Sequence, residues 1–246
     1  MEDFKNNITK NYLKKCELNI DGNENVFRGH IPDISDDFEN IFAEWLSSKL
    51  GKNYNIYVDF TMNLGRKPSK KDENKDQANN RRPDIVITKK EKDKEYIKGV
   101  IELKANLGYV REGAGNLKKS TEEYVDIINK MEEISISYMR QEKYALKKKL
   151  VDKSDKRIEK VKERINGGKD KSIQIKRTIY RKEKIEYLVV ALTSSNISKD
   201  NFDKYKDVFN KKEKKLAVLF DGWYYGLKDR KEDIAVVNDY VKRIKK

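Results

Sequence analysis

The chain has 246 residues, 37% of them hydrophobic and 40% charged, with a formal net charge of +14 and a pI near 9.4. A single cysteine, Cys16, and a single histidine, His30, exclude an internal disulfide, a cysteine zinc site, a paired-histidine metal centre, two-histidine ribonuclease chemistry and histidine-dependent HNH nuclease chemistry. The basic surplus favours a polyanionic partner, nucleic acid or an anionic membrane surface; no apolar run approaches the roughly 18 residues that span a bilayer and MEDFKNNITK has no signal core, so a cytoplasmic location is expected.

Residues 1–33 are weakly patterned, with a short helix expected around 7–16. Pro32-Asp33 leads straight into a helical pattern and reads as a helix-start signal. The periodicity predicts a helix from about Ser35 to Leu50, ended by Gly51, with Phe38, Ile41, Phe42, Trp45, Leu46 and Leu50 on its apolar side. At the helical period Glu39 falls at the margin of that stripe, while Glu44 projects to solvent. A carboxylate on the edge of a buried face is costly without a partner, so Glu39 needs a reason. Tyr54 to Phe60 reads as the first strand. Residues 65–82, GRKPSKKDENKDQANNRR, are polar throughout, with seven basic and three acidic side chains. This segment reads as a long flexible loop, and Arg81 and Arg82 at its end are placed to grip a phosphate backbone.

Residues 82–104, RPDIVITKKEKDKEYIKGVIELK, read as two strands joined by a charged turn. Asp84 enters the first strand just after Pro83, where a missing N–H is tolerated. In the second strand Glu102 and Lys104 share one face, and Ile101, Leu103 and Ala105 take the other. With the strands side by side, Asp84, Glu102 and Lys104 converge. Two carboxylates so close repel each other unless a cation lies between them, and oxygen-only ligands suit Mg²⁺. A lysine beside that ion is suited to holding an attacking water or stabilising charge on a phosphate. The glycines at 108, 113 and 115 then suggest a mobile loop, and Asn106, Tyr109 and Arg111 lie close enough to touch substrate.

No Gly or Pro occurs between Asn116 and Ile165, which is read as helical territory: two helices with a break near 152–155, where Ser154 would cap the second. From Arg140 to Lys184 there are 18 Lys/Arg against 7 Asp/Glu, a net of +11, so most of the excess charge lies here. Lys147, Lys148 and Lys149 are its densest cluster and are assigned to nucleic-acid contact. Tyr187 to Thr193 reads as a buried strand. A helix follows from Ser198 to Asn210, then a hairpin AVLF-DG-WYYGL with an Asp-Gly turn, then a final helix at about 232–244.

Pro83-Asp84, an interval of alternating strand, and Glu102-Leu103-Lys104 resemble the signature of the PD-(D/E)XK nuclease superfamily, and IELKANLGYVRE is similar to the motif's flank in restriction-endonuclease-like proteins. The resemblance covers roughly residues 35–115 and 185–225. It implies an α/β fold: a restriction-endonuclease-like core with a central mixed β-sheet flanked by helices, in one domain spanning the chain. The core would occupy about 35–115 and 185–246, with a lysine-rich helical insertion at about 116–184. It further implies a Mg²⁺-dependent DNA endonuclease, with Mn²⁺ able to substitute. Asp84 and Glu102 would hold the metal, Lys104 would orient the water, and Glu39 would assist. DNA is the expected partner and no membrane association is expected. A palindromic target would call for a homodimer. A non-enzymatic nucleic-acid-binding protein on a decayed nuclease fold fits the composition equally, and a repair or junction nuclease fits the motif.

Overall fold

Isoleucine and valine at alternate positions give the central strands two apolar faces, and helices cover both. The computed structural model describes the chain apart from residues 17–18, 21–22, 28–33, 69–75, 111–112, 143–144, 146–157, 169–170, 195–196, 212 and 223–225. The elements begin with α1 (Glu2–Cys16), β1 (Asn19–Ile20), β2 (Asn23–Phe27), α2 (Ser35–Leu50), β3 (Tyr54–Val58), β4 (Thr61–Pro68), β5 (Asp76–Arg81), β6 (Ile85–Glu91) and β7 (Lys94–Asn106). A 3-10 turn (Leu107–Tyr109) leads to α3 (Gly113–Ile128), β8 (Glu133–Gln141), α4 (Ile158–Asn166) and β9 (Ser172–Tyr180). The chain closes with β10 (Glu186–Thr193), α5 (Lys199–Asn210), β11 (Leu216–Asp221), β12 (Lys228–Asp229) and α6 (Lys231–Lys245).

Among the described residues β1 and β2 pair alone, and the other strands join one mixed sheet in the order β12-β11-β10-β7-β9-β8-β4-β5, with β6 on β7 and β3 on β6. β7, β10 and β11 are parallel to one another, while β6 runs antiparallel to both of its neighbours, β7 and β3. The protein is thus α/β, with a mixed, mostly open central sheet flanked by helices. On one face Ile85, Ile87, Ile101, Leu103, Leu188 and Val190 meet α1, α2 and α6 through Phe4, Phe38, Phe42, Val237 and Tyr240. On the other, Val86, Val100, Val189 and Ala191 meet α3 and α5 through Leu117, Tyr124, Tyr205 and Phe209. No described helix is long and apolar enough to cross a membrane.

Several elements match the pattern of the sequence. α2 spans Ser35–Leu50, and Gly51, at φ +89°, ends it by donating its N–H to the Ser47 carbonyl. The Ser198 hydroxyl caps α5 by accepting from the Asn201 N–H. Three expectations are corrected. Residues 65–82 are not a loop throughout: much of the segment lies in the antiparallel β4–β5 pair. Among the described residues β5 ends the order of the sheet and pairs with β4 alone, so it needs no apolar pattern. Residues 116–184 are not helical throughout either: the helices α3 and α4 alternate with the strands β8 and β9, and Ser154, expected to cap the second helix, lies outside the described residues. β8 and β9 are sheet strands whose Ile134, Ile136, Ile173, Ile175 and Ile179 are buried at strand period. Missing Gly and Pro permits a helix but does not require one. Finally, Asp221 of β11 pairs with Lys228 of β12, a register that a two-residue Asp-Gly turn does not give, and residues 223–225 lie outside the described residues. Pro32 and Asp33 lie outside the described residues.

Candidate active site

The register of β6 on β7 assembles the site. Ile85 lies opposite Ile101 and Val86 opposite Val100, so one step further Asp84 faces Glu102 at the end of the pair. By alternation both carboxylates lie on the face of Val86 and Val100. Asp84 Oδ2 accepts the Leu103 N–H at 2.5 Å, which fixes the acid against the neighbouring strand. Lys104 Nζ stands 3.5 Å from Asp84 Oδ2 and 3.6 Å from Glu102 Oε2, bridging the two carboxylates. On the other edge of β7, Glu102 lies beside Val189 and Lys104 beside the small Ala191.

Burial makes this charge arrangement expensive. The Glu102 side chain is 13% exposed, and its pKa is pushed up to about 7, first by desolvation and then by the charge of Asp84. Lys104 and the Tyr124 hydroxyl, which donates to Glu102 Oε1 at 2.6 Å, pull the other way. Glu39 of α2 is half-buried, whereas Glu44 is exposed. Desolvation raises the Glu39 pKa to about 7, followed by the fields of Asp84, Asp59 and Asp36, and Lys104 eases it. Glu39 is therefore within electrostatic reach of Asp84 and Lys104.

Asp84 and Glu102 suit a hydrated divalent ion, because Mg²⁺ takes one or two protein carboxylates and keeps several waters. The single ammonium shared by two carboxylates, one of them buried, marks a place where a cation is favourable. Among the described residues no group of three or more His, Cys, Asp or Glu side chains is arranged to hold a metal.

The residues assigned to nucleic acid are differently placed. Asn106 is 2% exposed, and its side chain accepts the Gly108 N–H to cap the 3-10 turn, so it shapes the chain leaving the site. Arg82 is exposed but pairs with the Asp59 carboxylate and donates from Nε to the Asp59 carbonyl. Arg81 is half-buried, with its Nε buried and unbonded. Tyr109 lies in the 3-10 turn, while Arg111, Lys147, Lys148 and Lys149 lie outside the described residues.

Two side chains at the site escaped the sequence reading. Tyr124 looked like one more apolar-stripe residue of α3 among Leu117, Val125 and Ile128. Asp59 sits between β3 and β4 at φ +60°, a conformation that Asp tolerates better than most residues. Its N–H donates to the Asp84 carbonyl at 2.9 Å, and its charge acts on Glu39. An acidic residue ending a strand was the one signal available. Comparison with known proteins finds no matching family model, no matching curated protein and no matching solved structure.

Proposed function

We propose that the protein is a Mg²⁺-dependent DNA endonuclease on a restriction-endonuclease-like core, most simply a restriction enzyme of the cytoplasm. The observation that carries this reading is the meeting of Asp84, Glu102 and Lys104 at one end of the β6–β7 pair. A carboxylate pair with an adjacent lysine is the equipment that phosphodiester hydrolysis without histidine needs. The basic surplus of the chain supports a polyanionic substrate.

Asp84 and Glu102 would hold the ion, which when bound supplies Lewis acidity and neutralises phosphate charge. Lys104 would orient the attacking water and stabilise the negative charge that builds on the phosphate oxygens. Glu39, with its raised pKa, would take up a proton from that water's side of the site. The water oxygen would bond to phosphorus as its proton passes to Glu39, the bond from phosphorus to the 3′ oxygen would break, and that oxygen would take a proton from solvent water, giving a 5′-phosphate and a 3′-hydroxyl, the outcome the family resemblance implies. Tyr124 keeps Glu102 in place from beneath, and Asp59 holds the Asp84 backbone.

Incubation of varied plasmid and phage DNAs with the protein and Mg²⁺ tests the reading. Discrete fragments are expected from a restriction enzyme and a smear from a nonspecific nuclease. DNA left intact in both Mg²⁺ and Mn²⁺, despite binding, contradicts the enzymatic reading and returns the chain to a nucleic-acid-binding role.

A further inference from the structure

Glu102 does not offer its two oxygens equally. Oε1 accepts the Tyr124 hydroxyl at 2.6 Å, whereas Oε2 is the oxygen that faces Lys104 at 3.6 Å and, across it, Asp84. Tyr124 is 6% exposed and packs among the apolar residues under this sheet face. A phenol in such surroundings stays protonated and must donate, and a carboxylate oxygen is the strongest acceptor it can find. The hydrogen bond is thus a fixed commitment of one oxygen.

We infer that Tyr124 is a positioning residue that makes Glu102 a one-oxygen ligand and thereby biases the site towards Mg²⁺ over Ca²⁺. This rests on the metal site proposed above. Mg²⁺ demands a compact octahedral shell, which single carboxylate oxygens and waters satisfy. Ca²⁺ accepts six to eight oxygens and gains from carboxylates that supply both. With Oε1 turned into the protein, the second contact that would favour Ca²⁺ is withheld. The same bond fixes the carboxylate's orientation, which serves the ion with the stricter geometry.

The test is calorimetric titration of Mg²⁺ and of Ca²⁺ into wild type, Tyr124→Phe and Asp84→Asn, without DNA. Tyr124→Phe is expected to weaken Mg²⁺ binding by roughly tenfold, while Ca²⁺ binding holds or strengthens. Equal changes for the two ions, or none, overturn the inference but leave the metal site standing. Heats that are the same in Asp84→Asn as in wild type overturn the metal site and the inference together. Infrared difference spectra of the wild type loaded with each ion, with Glu102→Gln to assign the bands, keep the question open to test should Tyr124→Phe not fold. A one-oxygen carboxylate signature for Glu102 is expected with both ions, and a two-oxygen signature overturns the inference.

Discussion

Burial and the charge of Asp84 disfavour the ionised form of Glu102. The folded chain keeps a proton on Glu102, and on Glu39, up to about pH 7, whereas the unfolded chain releases both near the usual carboxylate range. Between those limits the folded state binds more protons than the unfolded one, so stability falls as pH rises towards about 7. In chelator-containing buffer the melting temperature is expected to fall between about pH 5 and pH 8, the window set by these two shifts. Glu102→Gln, which carries no charge at either end, should flatten that fall. Added Mg²⁺ should restore wild-type stability most at the upper end, where the carboxylates are ionised and bind the ion best. An identical pH slope in Glu102→Gln would show that Glu102 is not the strained group.

At the scale of elements, β7 connects the site to the fold, since it carries Glu102 and Lys104 and pairs with β6 and β10. Its Gly99 makes room for α6. The Tyr240 hydroxyl donates to the Val100 carbonyl at 3.0 Å, and a Cβ on Gly99 would collide with that hydroxyl and crowd Ile244. Gly99→Ala is expected to cost about 1–3 kcal/mol by overpacking, read from denaturant unfolding; an unchanged midpoint would contradict the packing described. α2, β6, β7 and the capped α5 were legible in the sequence because their periodicity and caps agree with their burial. β8 and β9 were legible in principle, as Ile134-Ser135-Ile136-Ser137 and Ile173-Gln174-Ile175 alternate, but the breaker-free run around β8 and the density of Lys and Arg around β9 outweighed that signal. The polar β4–β5 pair was not legible, since strands paired by backbone hydrogen bonds need no apolar alternation. Asp84, Glu102 and Lys104 could be read from spacing along two adjacent strands. Tyr124 and Asp59 could not, because their roles arise from contacts 22 and 25 residues away in the chain.

For the whole molecule the governing quantity is charge. A net +14, of which +11 lies between Arg140 and Lys184, gives the protein a field that draws polyanions. Neutralising Lys147, Lys148, Lys149, Lys153 and Lys156 should weaken DNA binding and flatten its salt dependence, each lost phosphate contact lowering the slope of log K against log salt by about one. An unchanged slope would mean that these lysines only solvate the surface. On the proposed reading binding and catalysis separate, because the grip would be spread over many lysines while Lys104, between Asp84 and Glu102, would act at one point. The most direct measurement is plasmid cleavage in Mg²⁺ beside a gel shift in Ca²⁺, for wild type and Lys104→Ala. Cleavage is expected to fall by about 10²- to 10³-fold, the usual cost of one preorganised electrostatic group, with DNA binding nearly unchanged. Full cleavage by Lys104→Ala would contradict the assigned site.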